Sequence, residues 1–411
     1  MSQVKKIAFL CHPYHRGGVT RWMADAAIDY ADKGYEVYFA TPEPMQEFYS
    51  GKGRETMVQL LSKSNNKVKL VTCKVGRAFE FGNPEYCAYV YKKLLADYIP
   101  AGIPIILSDD KTVWQAAVSL HVSYPLVGVL HADEEAYYTL AKRFQKEVDI
   151  FVCVSDKVNK TVSARISEIG AARIFTIPCG INIPEAKFRN HAGDVLQLMY
   201  AGRITAYQKR AGDLLKVAKL LKAKNIPFTW NIIGDGGDFK IALEQQVYAE
   251  GLKDNVIFRG WLSQSEVHEY MLGSDVLVLT SEFEGMPIAM MEGLSSGCGF
   301  VGTRVSGIED YEHHPLAKDC FGVFEVGDIE DAVNKILQVA AVPLKTRQHA
   351  ARQLAEEQFS MDTCLNNYNA AIITIADKQY SKPTASLAPF VSIKSRVIAM
   401  MRSVKMALRS K

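Results

Sequence analysis

The sequence lacks several features that would place it quickly. No apolar run reaches the roughly 18 residues that a spanning helix needs. The first stretch, "MSQVKKIAFLCHPYH", carries two lysines and then only about five apolar residues, too few for a secretory leader. It reads as Lys5-Lys6 followed by a first core strand. The eight cysteines (Cys11, Cys73, Cys87, Cys153, Cys179, Cys298, Cys320, Cys364) form no CxxC pair, and several lie in apolar stretches. They read as reduced core residues of a cytoplasmic protein, not as disulfides or metal ligands. The net charge of +3 is too small to imply nucleic acid. No GxGxxG dinucleotide fingerprint and no internal repeat are present.

What remains is an ordinary globular composition, 48% hydrophobic and 23% charged. Its 411 residues suffice for two or three domains, each with its own core. Short apolar runs alternate with helical patterns, which argues for parallel α/β sheets. "KIAFLC", "YEVYFAT", "KVKLVT", "IPIILS", "YPLVGVLH", "VDIFVCVS" and "ARIFTIP" are strand candidates. Between the first two, Trp22, Met23, Ala26, Ala27 and Tyr30 fall at helical spacing and Gly34 is a plausible stop. A polar stretch over 182–194 interrupts the rhythm and marks a domain boundary. The rhythm restarts with strands "LQLMYAG", "FTWNIIGDG", "NVIFRG", "DVLVLT" and "GFVGT", then turns helical from about 330.

Open α/β sheets bind ligands at the carboxyl ends of their strands, so the loops there carry the chemistry. Gly17-Gly18 follows the first strand and opens a helix, a place where backbone can approach an anion; read alone, it fits a simple turn equally well. In "YAGRITAYQKRAGDLL", Arg203 ends a strand while Lys209 and Arg210 precede a helix. Such cations could converge on one phosphate, or be ordinary surface charge. "IIGDGGD" reads as a turn with backbone near a ligand. His131 ends a strand of the first half. In "TSEFEGMPIAMMEGLSSG", Glu284 lies in a loop and Glu292 in the helix that Pro287 starts. Carboxylates there could accept hydrogen bonds from sugar hydroxyls, and Glu282 reads as solvent-facing.

In this order the signals resemble the retaining, nucleotide-sugar-dependent glycosyltransferases of family four, which have the GT-B fold. The resemblance covers residues 5 to about 375 and is strongest from 198 to 310, where the family's E-x7-E signature is Glu284 to Glu292. It implies two Rossmann-like parallel-sheet domains facing a central cleft: an acceptor domain over 1–184, a donor domain over 195–360, and a helix over 361–377 crossing back. Glu284 would contact the donor sugar's hydroxyls, with backbone contacts from Gly285, Met286 and Pro287. Glu292 would hold the ribose. Arg203 and Lys209 would bind the diphosphate, Gly18 would approach it, and His131 would stand near the donor sugar. Lys209 rather than Arg210 is chosen although the family usually has one residue fewer between its basic pair. "GLSSGCGFVGTRVSGIED" also departs from the commoner pattern. No DxD motif is present, and the family generally works without a bound metal or other cofactor. The expected partners are a nucleotide-sugar donor and a glycan or lipid-linked acceptor, as in cell-surface polysaccharide or lipopolysaccharide synthesis. An epimerase or a non-catalytic sugar-nucleotide-binding protein of the same fold is the alternative.

The last stretch, 378–411, holds eight Lys or Arg and no Asp or Glu. Ile393, Val397, Met400, Met401, Val404 and Leu408 fall at helical spacing, with basic residues largely off that stripe. The pattern over 385–411 suits a helix lying on an anionic inner-leaflet surface, and equally a solvated tail.

Overall fold

The computed structural model describes residues 5–14, 17–44, 56–62, 64–76, 79, 84–166, 173–185, 188, 193–375 and 380. The basic segment 385–411 lies outside the described residues. Contacts divide the chain into two units. The first comprises Met1–Cys153, Asn159–Ile177 and Leu365–Lys411; the second comprises Val154–Val158 and Pro178–Cys364. None of the described helices is long and apolar enough to cross a membrane.

The first unit is built on β1 (Lys6–Leu10), β2 (Glu36–Ala40), β4 (Lys69–Val71), β6 (Ile105–Leu107), β7 (Leu126–Leu130), β8 (Ile150–Cys153) and β9 (Ile174–Thr176). These pair in the order β4-β2-β1-β6-β7-β8-β9, every pair parallel. A short ladder of β3 (Glu43–Pro44) and β5 (Lys74–Val75) stands apart. Helices on both faces explain why β7 and β8 are buried at every position and read as unbroken apolar runs. The helix Gly18–Asp32 turns Trp22, Met23, Ala26, Ala27 and Tyr30 inward, the face its spacing predicts.

The second unit has β10 (Leu196–Ala201), β11 (Phe228–Ile233), β12 (Val256–Gly260), β13 (Val276–Leu279), β14 (Gly299–Thr303) and β15 (Phe321–Phe324). Their order is β12-β11-β10-β13-β14-β15, again parallel. The chain runs from β10 outward to β11 and β12, then returns to β13 on the other side. That reversal between β10 and β13 is the switch point where such sheets open a crevice at the strands' carboxyl ends. β15 is absent from the sequence reading: it is four residues long, contains Gly322, and lies at the edge, so its periodicity is too short to stand out.

At the opposite end of the same strands a buried ion pair fixes their order. Arg347 Nη2 meets Asp275 Oδ1 at 2.6 Å, with side chains only 2% and 11% exposed. The other carboxylate oxygen accepts the Gln197 amide at the start of β10, and the Asp275 carbonyl accepts Gly299 N at the start of β14. Arg347 Nη1 also donates to the carbonyls of Ala340 and Val342 at the end of the helix Ile329–Ala341. Removing one member of such a pair strands a buried charge. Arg347→Met should therefore destabilise the second unit by about 3–5 kcal/mol. Chemical denaturation followed through buried Trp230 checks this; an unchanged midpoint would contradict it.

Candidate active site

The loops after β10 and β13 meet at the switch point of the second sheet, and backbone bonds tie them together. Thr280 Oγ1 donates to the carbonyls of Lys209 and Arg210, at 3.0 and 3.2 Å. Glu282 N donates to Gln208 O at 2.8 Å. Beneath the first loop, a Cβ on Gly234 would lie 1.8 Å from Gly202 O, and one on Gly236 would lie 1.9 Å from Ile204 O. Gly234 and Gly236 of "IIGDGGD" are thus required by close packing against the 202–204 turn.

Lys209 Nζ and Glu284 Oε1 are 2.5 Å apart, with side chains 15% and 7% exposed. Ser281 Oγ donates to the same carboxylate oxygen at 2.6 Å, and Thr303 Oγ1 holds the Ser281 carbonyl at 2.6 Å. One oxygen of Glu284 thus takes a cation and a hydroxyl. The other, Oε2, takes no hydrogen bond from the described residues and keeps its lone pairs for a donor group. Arg203 follows β10 and is exposed; its Nη2 donates to Gln208 Oε1 at 2.6 Å. Gln208, which lies between the two cations in the chain, therefore holds the Arg203 guanidinium.

Arg210 has a different role. It adopts φ 43° and reaches Asp213 and Glu282, both at 2.8 Å. Glu282, expected to be idle in solvent, is exposed but neutralises Arg210.

After Glu284 the loop is packed in: Gly285, Met286 and Pro287 are buried. Pro287 is the N-cap of the helix Ile288–Ser295, so the helix starts one residue later than expected. Met290 N is bonded to Pro287 O, so the amides of Ile288 and Ala289 precede the first helical bond and point out of the helix start. Gly307 supports this loop from behind. A Cβ there would come within 1.9 Å of Gly285 O, and its φ of +76° disfavours any other residue. Glu292 is the fifth helical residue; Gln264 Nε2 approaches its Oε1 at 3.4 Å.

Gly18 and His131 belong to the first unit. Gly18 is exposed at the start of its helix, directly after the Gly17 N-cap. His131 is the first residue beyond β7 and is buried against Trp22 of that helix, ring centroids 5.2 Å apart. Burial pushes its pKa down from 6.5 to about 4, against the opposing pull of Asp109. At neutral pH His131 is a neutral hydrogen-bonding group, not a counter-ion for phosphate. The structure thus gathers Arg203, Lys209, Glu284 and the 285–287 loop in one unit, with Gly18 and His131 in the other. Ser281, Thr303, Gln208 and Gly307 were not singled out from the sequence: Thr303 and Gly307 act on neighbours distant along the chain, while Ser281 and Gln208 act on Glu284 and Arg203 nearby but belong to no motif.

Two family profiles match consecutive parts of the chain: "Glycosyltransferase Family 4" over residues 16–184 and "Glycosyl transferases group 1" over 183–356. Among curated relatives, the amylovoran biosynthesis glycosyltransferase AmsK of Erwinia amylovora is 26% identical over 46% of this chain and 44% of its own length. The lipopolysaccharide 1,6-galactosyltransferase of Salmonella typhimurium is 30% identical over 44% of this chain and 49% of its own. The chain thus spans less than half the length of these relatives. Solved structures match more fully. The lipopolysaccharide outer core galactosyltransferase WaaB, in its apo form, is 18% identical with TM-score 0.66, covering 90% of this chain and 99% of that one. Anabaena Alr3699/HepE in complex with UDP and glucose is 17% identical with TM-score 0.67, covering 90% and 100%. These likenesses carry the GT-B fold.

The buried imidazole generates a pH signature. The unfolded chain binds a proton at His131 near pH 6.5, while the folded chain does not until about 4. This group's contribution is therefore intact above 6.5 and is lost as pH falls towards 4. A His131→Gln variant should show a shallower fall of stability across that window in urea titrations. Equal slopes for the two proteins would contradict the buried, neutral assignment.

Proposed function

The chain belongs to glycosyltransferase family four, and we propose that it moves a hexose-type sugar, with retention, from a nucleotide diphosphate sugar to a glycan or lipid-linked acceptor. The observation that carries this reading is the sheltered Lys209–Glu284 pair at the switch point, with Arg203 beside it. An anion and a set of hydroxyls are the two ligand chemistries that such a pair can divide between them. Lys209 and Arg203 take the diphosphate through charge-assisted bonds. Glu284 accepts from the sugar hydroxyls through Oε2. The amides opening the helix Ile288–Ser295 add partial positive charge. Glu292, further along that helix, holds the ribose. Gly18 lets backbone approach the phosphates, and His131 offers a neutral hydrogen bond to the sugar.

As the bond from the anomeric carbon to phosphate breaks, its electron pair goes to the leaving diphosphate. The cations and helix amides stabilise that charge, so no metal is invoked. The acceptor oxygen bonds to the anomeric carbon on the same face, and its proton passes to the departing phosphate. The protein supplies position and charge stabilisation, and no side-chain nucleophile is assigned. The structural neighbour HepE, solved in complex with UDP and glucose and with UDP-glucose, favours a uridine diphosphate donor. Relatives named for amylovoran and lipopolysaccharide synthesis favour a cell-surface glycan as product.

A thermal-shift screen of UDP-, GDP- and ADP-sugars tests the donor class. A true donor at about 100 times its Kd should stabilise the chain by about 2.7 kcal/mol. Glu284→Gln preserves shape and should reduce turnover by about 10²–10³-fold, with the melting transition retained. A folded Glu284→Gln enzyme with near-normal turnover would remove Glu284 from the reaction. Donor binding without nucleotide release in the wild type would leave a binding protein.

A further inference from the structure

All the charged side chains assigned to the donor lie in the second unit, so the switch point of the first sheet has chemistry of its own to explain. It lies between neighbours β1 and β6: the chain leaves β1 towards β2 on one side and β6 towards β7 on the other. Cys11, Ser108 and His131 are the first residues beyond β1, β6 and β7, and Asp109 follows Ser108.

Two carboxylates occur here and they do different things. Asp110 is used locally: its Oδ1 accepts the amides of Thr112 and Val113, at 2.8 and 3.2 Å, capping the helix Lys111–Val118. Asp109 caps nothing. It is half-buried, and its Oδ2 accepts the Tyr137 hydroxyl at 2.9 Å. Its Oδ1 takes no hydrogen bond from the described residues. Burial and the neighbouring Asp109 both raise the Tyr137 phenol, which keeps it a proton donor. The negative charge is also felt at Cys11 and at His131. Asp109 is therefore a carboxyl group steadied at one oxygen, at the place where an open α/β sheet takes its ligand.

A carboxylate accepts hydrogen bonds and repels phosphate. The group that suits Oδ1 is a hydroxyl, and the diphosphate already has its cations in the other unit. We propose that Asp109, steadied by Tyr137, is a specificity-determining residue whose Oδ1 accepts a hydrogen bond from a sugar or polyol hydroxyl of the acceptor. This rests on the glycosyl-transfer reading and adds the acceptor's side to it. Acceptors lacking the hydroxyl leave a sheltered carboxylate without its bond and are rejected.

The test uses the full chain with whichever of UDP-, GDP- or ADP-glucose stabilises it most. Reactions run in water alone, and with methyl α-D-glucopyranoside, methyl β-D-galactopyranoside or glycerol. Transfer divided by hydrolysis is the readout, because both use the same donor contacts. Asp109→Asn should lower this ratio by about tenfold or more, the loss expected for a hydrogen bond to a charged group. Tyr137→Phe should lower it less, and nucleotide affinity should stay within about twofold for both, since neither is placed at the diphosphate. Asp109→Glu retains the charge with a longer reach, so it should change the order of preference among the probes. A wild-type ratio in both folded Asp109 variants would overturn the proposal. So would weakened nucleotide binding in them, which would put Asp109 on the donor. A wild type that hydrolyses the donor yet transfers to no hydroxyl probe overturns it as well. A wild type that binds none of the three donors instead overturns the glycosyl-transfer reading itself.

Discussion

The Lys209–Glu284 ion pair is the interaction on which the second unit's site depends. A carboxylate at the end of a core strand carries a desolvation cost, and an ammonium beside it carries another. Each offsets the other at 2.5 Å. The pair helps to keep the two loops at the switch point in register, while Oε2 of Glu284 takes no hydrogen bond from the described residues. Under the proposed function a diphosphate sugar would bring an anion for Lys209 and hydroxyls for Glu284 in one molecule, replacing this contact with two better-matched ones.

The surrounding packing serves that pair. Asp275 and Arg347 tie the amino ends of β10 and β14 to each other, at the end of the strands opposite the switch-point loops. Gly234, Gly236 and Gly307 let backbone press against the 202–204 turn and the Gly285 carbonyl, which fixes loops that carry few regular hydrogen bonds. Ser281 and Thr303 form a relay from β14 to the Glu284 carboxylate. Such supporting contacts are what hold a binding side chain within the tolerance that chemistry needs. In the first unit the logic is different. His131 is kept neutral by burial, and Asp109 is kept in place by Tyr137, so that unit offers hydrogen bonds rather than cations.

Much of this was legible in the sequence. Alternating strands and helices gave two parallel sheets, because strands covered on both faces must be apolar along their whole length. That Glu284, Arg203 and Lys209 would stand in loops beyond the ends of core strands was legible from the strand pattern and from the E-x7-E spacing. The illegible parts depend on distant partners. Nothing near Ser281 announces that Thr303 will hold its carbonyl, and nothing near Gly307 announces the Gly285 oxygen. Glu282 looked idle until Arg210, 72 residues earlier, turned towards it through a left-handed backbone. Strand β15 was too short and too interrupted by glycine to show a period. Asp109 is not legible in the sequence, because its bond to Tyr137 joins residues 28 apart in the chain.

The central claim is that Glu284 serves the sugar while Lys209 serves the phosphate. Calorimetric titration with UDP and with UDP-glucose, on wild type, Glu284→Gln and Lys209→Met, addresses it directly. Lys209→Met should weaken both ligands by a similar factor, since both carry the diphosphate. Glu284→Gln should shift the ratio of the two dissociation constants by about tenfold against UDP-glucose, the effect of one hydrogen bond to a charged group. A Glu284→Gln protein whose ratio matches the wild type's would contradict the division of the pair between sugar and phosphate.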